Sequence, residues 1–159
     1  MDVRIKEDNL KFKYRVSGII INDNKILLEK YSDKGWCLPG GYVMMGETSE
    51  KAMLRELNEE IDKEFVIDKF LGVVENFFTN FRDDKTHAIE FYYKVRFKDI
   101  NDINSIDYNR VEDDHGFIIN HHFKWFTLEE LKTINLLPNI VKEDILDNKE
   151  FFHHIINEL

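Results

Sequence analysis

The stretch from Trp36 to Phe65 constrains the fold more than any other part of the chain. It opens with a Pro-Gly-Gly cluster at 39–41, whose glycines allow the main chain to turn sharply and to approach a ligand closely. Thr48 suits the N-cap of a helix and Glu50 suits its first turn, and nothing interrupts helical periodicity until about Ile61. The stretch therefore predicts a turn, a short loop and an amphipathic helix.

The predicted helix carries three carboxylates on one face. Its core-facing stripe consists of Leu54, Leu57 and Ile61. Glu56, Glu59 and Glu60 follow the spacing i, i+3, i+4 and converge on a different face. Each like-charged pair costs roughly 0.2–0.5 kcal/mol of helix stability, and a divalent cation with oxygen ligands would relieve that repulsion. A solvated acidic face is the alternative interpretation. Arg55 is placed to bridge to Glu59, four residues later.

The spacing of these residues resembles the Nudix box of the Nudix hydrolases. The matching positions are Gly41, Glu47, Arg55, Glu56, Leu57, Glu59 and Glu60. Weaker resemblances lie just before the box, from Trp36 to Gly41, and near the C-terminus, from Trp125 to Leu131. The pattern departs at Asp62, where the family has the glycine that ends the helix in the left-handed conformation. We therefore expect Asp62 to adopt a positive φ.

The resemblance implies a function. It is the hydrolysis of a nucleoside diphosphate linked to another moiety, with Mg²⁺ or Mn²⁺ as cofactor. The implied metal ligands are Glu56, Glu59, Glu60 and the carbonyl of Gly40. Arg55 would orient a ligand carboxylate, and Glu47 would order the box loop or hold a metal-bound water. ADP-ribose, other nucleotide sugars, dinucleoside polyphosphates and oxidised nucleoside triphosphates all stay open as substrates. Many members of the family are dimers, so a homodimer stays open as the assembly.

Further site candidates lie in and outside the box. The general base is either Glu56 or an acidic residue outside the box. Glu112 is the first candidate outside the box, because it lies in an Asp- and Asn-rich stretch, residues 99–116, that predicts a long loop. Gly41, Arg15 and Trp36 are candidate substrate contacts, with sheet or core positions as the alternative for the two side chains. The paired histidines His121/His122 and His153/His154 lack metal-ligand spacing, so we expect surface or sheet residues there.

The order of elements predicts an α+β domain. Strands are expected within residues 11–31, 65–78, 88–97 and 117–126, with a hairpin loop at 79–87. Residues 88–97 are expected to form a half-buried antiparallel strand. The box helix lies between the first two groups, a capping box begins another helix at Thr127, and helical pairs continue to Leu159. We expect a single domain over residues 1–159, and the resemblance implies an α/β/α sandwich with a mixed β-sheet.

Charge and composition limit the partners. The 159 residues carry a formal net charge of −9, which argues against a nucleic-acid polymer or an anionic membrane as the partner. No apolar run approaches the length of a membrane span, and the lone Cys37 excludes an internal disulfide. The sequence predicts a soluble cytoplasmic protein that acts on a small molecule.

Two other functions are compatible with the same fold. One is a non-catalytic nucleotide-binding sensor, which would have no need of a full set of carboxylates. The other is an isomerase of the isopentenyl diphosphate type, which needs a cysteine and a glutamate flanking its substrate. Cys37 precedes the box loop, but no matching arrangement is found in the sequence.

Overall fold

The computed structural model describes residues 1–30, 33–79, 84–114, 116–150 and 153–158. Its strands are β1 (Arg4–Glu7), β2 (Leu10–Asn22), β3 (Lys25–Lys30), β4 (Trp36–Cys37), β5 (Gly40–Tyr42), β6 (Phe65–Thr79), β7 (Lys85–Phe97), β8 (Asn109–Asp114), β9 (Phe117–Thr127), β10 (Leu136–Leu137) and β11 (His153–Asn157). Its α-helices are α1 (Ser49–Ile61), α2 (Leu128–Leu131) and α3 (Lys142–Leu146). Short 3₁₀ helices cover Ile100–Ser105 and Asn139–Val141.

Within the described residues, the strands form one mixed sheet. Its main path runs β10-β4-β3-β2-β7-β6-β11, with β1 and β5 paired to β2 and the β8–β9 hairpin paired to β3. Strand β7 lies parallel to β2 and antiparallel to β6. The prediction of a half-buried β7 is wrong, because Glu90 and Tyr92 on its second face are also buried. This part of β7 lies in the middle of a sheet that is covered on both faces, whereas Arg96 near the end of the strand is exposed.

Apolar cores cover both faces of the sheet, as the predicted α/β/α arrangement requires. One core contains Ala52, Met53, Leu57 and Ile61 of α1, with Leu54 packed against it. The other contains Leu131 of α2 and Ile145 of α3. The predicted apolar stripe of the box helix is therefore confirmed, and so is the α+β fold with a mixed sheet. None of the helices in the described ranges is long and apolar enough to span a membrane.

The box helix has the predicted caps at both ends. The Thr48 hydroxyl accepts a hydrogen bond from the Lys51 N–H at 3.3 Å. Asp62 ends the helix with φ 59° and ψ 40°, and its N–H donates to the Asn58 carbonyl at 2.8 Å. The expected positive φ at Asp62 is confirmed. The aspartate thus adopts the left-handed conformation in which a Cβ is unfavourable.

Two segments differ from the predictions. Residues 99–116 are not one long loop, because they contain a 3₁₀ helix and the strand β8, whose ladder with β9 overrides the turn-forming local composition. The chain from Ile140 onward is not helical throughout, because β11 adds to the edge of β6 as a parallel strand. There Ile155 packs on the core while Ile156 is 53% exposed. This alternation between successive residues is typical of a strand.

The conformation of Asp62 generates a stability prediction. Asp62→Gly should raise the free energy of unfolding by about 0.5–1 kcal/mol, because glycine occupies the left-handed region without the Cβ penalty. Urea unfolding measures the change. Asp62→Ala is the control and should destabilise the protein, since it keeps a Cβ at the same φ. A loss of stability in the glycine variant would contradict the explanation.

Candidate active site

A cleft of about 690 Å³ lies beside the N-terminal strands and the box helix. Its walls come from β1, β2, β3, β5, α1 and the β8–β9 hairpin. The acidic side chains of the wall are Glu29, Glu56, Glu59, Glu60 and Glu112. Its basic side chains are Arg4, Lys6, Lys11, Lys13, Arg15 and Arg110. The cleft therefore offers a ligand both carboxylate oxygens and cationic groups.

Arg55 organises the acidic part of the wall from behind. Its Nε and one terminal nitrogen donate to the two carboxylate oxygens of Glu47 at 2.8 and 3.0 Å. The same terminal nitrogen donates to the Tyr42 carbonyl at 2.8 Å. The other terminal nitrogen donates to Glu56 at 2.8 Å and to Glu59 at 3.2 Å. The predicted contact between Arg55 and Glu59 is thus confirmed, and one guanidinium sets the orientation of three carboxylates.

These contacts shift the pKa values of the groups involved. The hydrogen bond from Arg55 lowers the pKa of Glu47, which also accepts a hydrogen bond from the Met44 N–H at 3.0 Å. The hydrogen bond to Glu47 raises the pKa of Arg55 further above its usual range. Glu47 therefore stays ionised and ties the box loop to α1.

Gly41 makes room for the Glu56 carboxylate. A Cβ built on Gly41 would lie 2.1 Å from Glu56 Oε2, far inside van der Waals contact. A Cβ on Gly40 would lie 2.0 Å from the Val16 carbonyl oxygen. The glycine pair therefore lets β5 pack against β2 while a carboxylate of α1 reaches its main chain.

Glu60 offers an oxygen that the protein leaves without a partner. Its Oε2 atom is buried and accepts no hydrogen bond within the described chain. Burial raises the pKa of Glu60 well above its usual range, and the charges of Glu29 and Glu56 raise it further. Burial likewise raises the pKa of Glu56, against the opposing effect of Arg55. A buried oxygen donor surrounded by negative charge fits a divalent cation, which would supply the missing partner and the missing positive charge.

A histidine on β9 connects an acid of β3 to an acid of β8. His121 Nδ1 contacts Glu29 Oε1, and His121 Nε2 lies 2.8 Å from Glu112 Oε2. Ligand atoms of Glu29, Glu60 and His121 all lie within 4.8 Å of one another. Burial alone would lower the pKa of His121, but the two carboxylates outweigh burial and raise it. The two carboxylates, which come from different elements, therefore stabilise the charged form of the imidazole that joins them.

Most predicted site residues meet at this cleft. Gly40, Gly41, Glu56, Glu59, Glu60, Arg15 and Glu112 line it, and Arg55 and Glu47 support its wall. Glu112 is on strand β8 rather than in a loop, because β8 pairs with β9. Trp36 does not line the cleft: its ring packs edge-on against Phe126, with ring centroids 4.7 Å apart.

Sequence reasoning missed Glu29 and His121. Glu29 is 2% exposed at the end of the buried run Ile26–Leu28. An acidic residue that continues such an apolar run indicates a buried carboxylate with a specific partner. His121 shares a strand face with Phe123 and Trp125, which both pack in the core. That alternation would have placed His121 on the inner face of β9, although it would not have named Glu29 as its partner.

The close approach at Gly41 generates a prediction. Gly41→Ala should lower kcat by about 10²-fold, because the new methyl group would displace the Glu56 carboxylate from its position in the cleft. Steady-state kinetics at saturating metal measures the loss. Gly116→Ala is the control, since a Cβ there meets open space although φ is +89°. Equal activity of the two variants would show that the position of Glu56 is not critical.

Comparison with known proteins identifies the family. A family model described as NUDIX domain matches residues 11–146. An ADP-ribose pyrophosphatase of Methanocaldococcus jannaschii is 33% identical over 149 residues, covering 76% of this chain and 83% of that protein. An 8-oxo-dGTP diphosphatase of Buchnera aphidicola subsp. Schizaphis graminum is 28% identical over 131 residues, covering 79% and 85%.

The solved structures agree on the fold. The crystal structure of an ADP-ribose pyrophosphatase from Streptococcus suis superposes with a TM-score of 0.63 at 16% identity. The match covers 90% of this chain and 98% of that one. At this identity the likeness concerns the fold alone, whereas the family model and the first relative each extend over most of the chain. The chain therefore belongs to the NUDIX family and is a hydrolase of the Nudix type.

Proposed function

We propose that the chain hydrolyses the phosphoanhydride bond of a nucleoside diphosphate linked to another moiety, using Mg²⁺ or Mn²⁺. The single observation that carries the proposal is the buried, unpartnered Glu60 Oε2 beside the Glu56 carboxylate in the cleft. Enzymes of this family generally use divalent metals, and Glu60 belongs with Glu29 and His121 to a group whose ligand atoms lie close enough together to hold one. A small nucleotide is the proposed partner, and a cytoplasmic location stays a prediction.

The metal ligands that we propose are Glu56, Glu59, Glu60 and the carbonyl of Gly40. Carboxylate and carbonyl oxygens are the donors that Mg²⁺ and Mn²⁺ prefer. When bound, such an ion neutralises charge on the phosphate oxygens and lowers the pKa of coordinated water. Glu59 is 56% exposed, but Arg55 keeps its carboxylate near that of Glu56. Arg55 and Glu47 do not line the cleft, so they would hold the ligands in place from behind its wall.

Glu112 is our first candidate for the general base. Its side chain is 58% exposed and lines the cleft, and one of its oxygens contacts His121. A carboxylate held at one oxygen presents the other to water, which suits proton abstraction from an attacking water molecule. Glu56 is the alternative base, although Arg55 already donates to it.

The proposed substrate classes follow from the relatives. Their names describe enzymes that act on ADP-ribose and on 8-oxo-dGTP, so a nucleotide sugar or a nucleoside triphosphate is the proposed substrate here. A non-catalytic sensor has no use for the organised carboxylate set, and Cys37 does not line the cleft, which leaves the isomerase alternative unsupported. Both observations favour the hydrolase.

Metal removal tests the proposed function. The protein should be inactive towards ADP-ribose and dGTP in excess EDTA, and Mg²⁺ or Mn²⁺ should restore turnover, because Glu60 Oε2 has no hydrogen-bond partner in the described chain without the ion. Product release is followed by chromatography. Hydrolysis that continues in the chelator would rule out the proposed mechanism.

Matched variants on the box helix serve as controls for that experiment. Glu60→Gln should lower the metal-supported rate by at least roughly 10²-fold and weaken Mn²⁺ binding measured by calorimetry. Glu50→Gln removes the same charge from an exposed position on the same helix and should leave both properties near normal. Similar losses in the two variants would place the metal elsewhere.

The base assignment has its own test. Glu112→Gln should lower kcat by at least roughly 10²-fold with little change in KM, since the amide cannot accept a proton. Asp113→Asn is the control, because Asp113 Oδ1 accepts a hydrogen bond from the Gly116 N–H and is not among the cleft residues. If both variants keep normal kcat, Glu56 becomes the base.

A further inference from the structure

A buried carboxylate and a histidine meet where β3 pairs with β9. Glu29 lies opposite Phe123 in the strand register, and His121 is two residues before Phe123 on the same face of β9. His121 Nδ1 contacts Glu29 Oε1, and the Glu29 side chain has no other ion pair or hydrogen bond in the part of the chain that the structure describes. A buried carboxylate costs free energy of folding unless a positive charge compensates it.

Glu60 of α1 completes a group of three metal-ligand side chains. One ligand atom from each of Glu29, Glu60 and His121 lies within 4.8 Å of the other two. Among the described residues, no other three histidine, cysteine, aspartate or glutamate side chains come this close together. Glu60 Oε2 is buried and accepts no hydrogen bond within the same residues. We call Glu29, Glu60 and His121 the histidine cluster.

Glu60 interacts more strongly with Glu29 than with its neighbour on the same helix. After burial, the charge of Glu29 does most to raise the pKa of Glu60, and the charge of Glu56 does less. The charge of Arg15 opposes this rise but does not cancel it. The ionised form of Glu60 therefore needs a further positive charge, and that charge belongs on the side of Glu29.

The second ring nitrogen of His121 has the partner that a metal-binding histidine usually has. Nδ1 is the nitrogen on the Glu29 side, and Nε2 lies 2.8 Å from Glu112 Oε2. A histidine that binds a metal through one ring nitrogen generally donates the N–H of the other to a carboxylate or carbonyl. Donation from Nε2 to Glu112 leaves Nδ1 to the cluster. A cation bound at Nδ1 would replace the ring proton there as the positive charge between the carboxylates.

The ligand types select the class of metal. Mg²⁺ prefers oxygen ligands and keeps several of its waters, whereas an imidazole nitrogen suits Zn²⁺ and Fe²⁺. Zn²⁺ is commonly held by histidine together with carboxylates. One imidazole and two carboxylates therefore favour a transition-metal ion over Mg²⁺.

We propose that the histidine cluster binds a transition-metal ion such as Zn²⁺ or Fe²⁺, at a site separate from the oxygen ligands proposed for Mg²⁺ or Mn²⁺. The two sites share Glu60, whose carboxylate has one oxygen for each ion, and in this respect the inference rests on the proposed function. Glu29 and His121 belong to the histidine cluster alone. The bound ion would join α1, β3 and β9, and it would therefore stabilise the folded chain.

Calorimetry with Zn²⁺ tests the site. The wild type should bind Zn²⁺ in the presence of excess Mg²⁺, because Mg²⁺ competes poorly for a site with an imidazole ligand. His121→Gln should weaken this binding by at least about 10²-fold, since the ring nitrogen is lost. His122→Gln is the matched control and should bind Zn²⁺ like the wild type. His122 is exposed, its Nδ1 lies 2.6 Å from Asn109 Oδ1, and it does not line the cleft.

A second variant and a second measurement guard against a folding defect in His121→Gln. Glu29→Gln keeps the shape of the side chain and can still form a hydrogen bond with His121, so it removes the ligand charge and retains the contact. It should also weaken Zn²⁺ binding by at least about tenfold. Zn²⁺ should raise the unfolding temperature of the wild type and of His122→Gln more than that of Glu29→Gln. If either cluster variant binds Zn²⁺ as tightly as the wild type, or if Mg²⁺ displaces Zn²⁺ completely, the proposal is overturned.

Hydrolysis assays separate this inference from the proposed function. Turnover of ADP-ribose and dGTP with Mg²⁺ alone tests the hydrolase without Zn²⁺. If Zn²⁺ binds as expected but no nucleotide is hydrolysed with Mg²⁺ or Mn²⁺, the histidine cluster stands as a metal site and the proposed function fails. If hydrolysis occurs and either cluster variant binds Zn²⁺ like the wild type, the proposed function stands and this inference fails.

Discussion

The arrangement of the site depends on one guanidinium. Arg55 donates to Glu47, Glu56 and Glu59 and to the Tyr42 carbonyl, so it joins the box loop, strand β5 and helix α1 at a single point. Its planar shape and several donors make this possible, and a lysine could not reproduce it. The repulsion among the glutamates is offset by this cation on one side, and the metal that we propose would lie on the other side of the acidic face.

The box could be predicted from sequence because its constraints are local. Helical periodicity placed Leu57 and Ile61 in a core and the three glutamates on another face, and the structure confirms the caps at Thr48 and Asp62. These features depend on residues a few positions apart, whose relative placement a helix fixes.

The rest of the site depends on contacts between distant segments. Glu29 and His121 are 92 residues apart and meet only because β3 pairs with β9. Likewise, β8 and β11 form because a partner strand is available, although their local composition suggested a loop and a helix. Tertiary pairing overrides local preference in such strands. Trp36 is the opposite case: it precedes the box loop and was predicted to contact the substrate, but its ring packs against Phe126 instead. Residues that adjoin a loop in sequence need not line the same cleft.

The first strand lies outside the matched family domain. The match to the family begins at residue 11, whereas β1 with Arg4 precedes it and still forms part of the cleft. The lining of the cleft is thus drawn both from the matched domain and from a strand that precedes it. A substitution confined to β1 would alter the cleft while leaving every residue of the box in place.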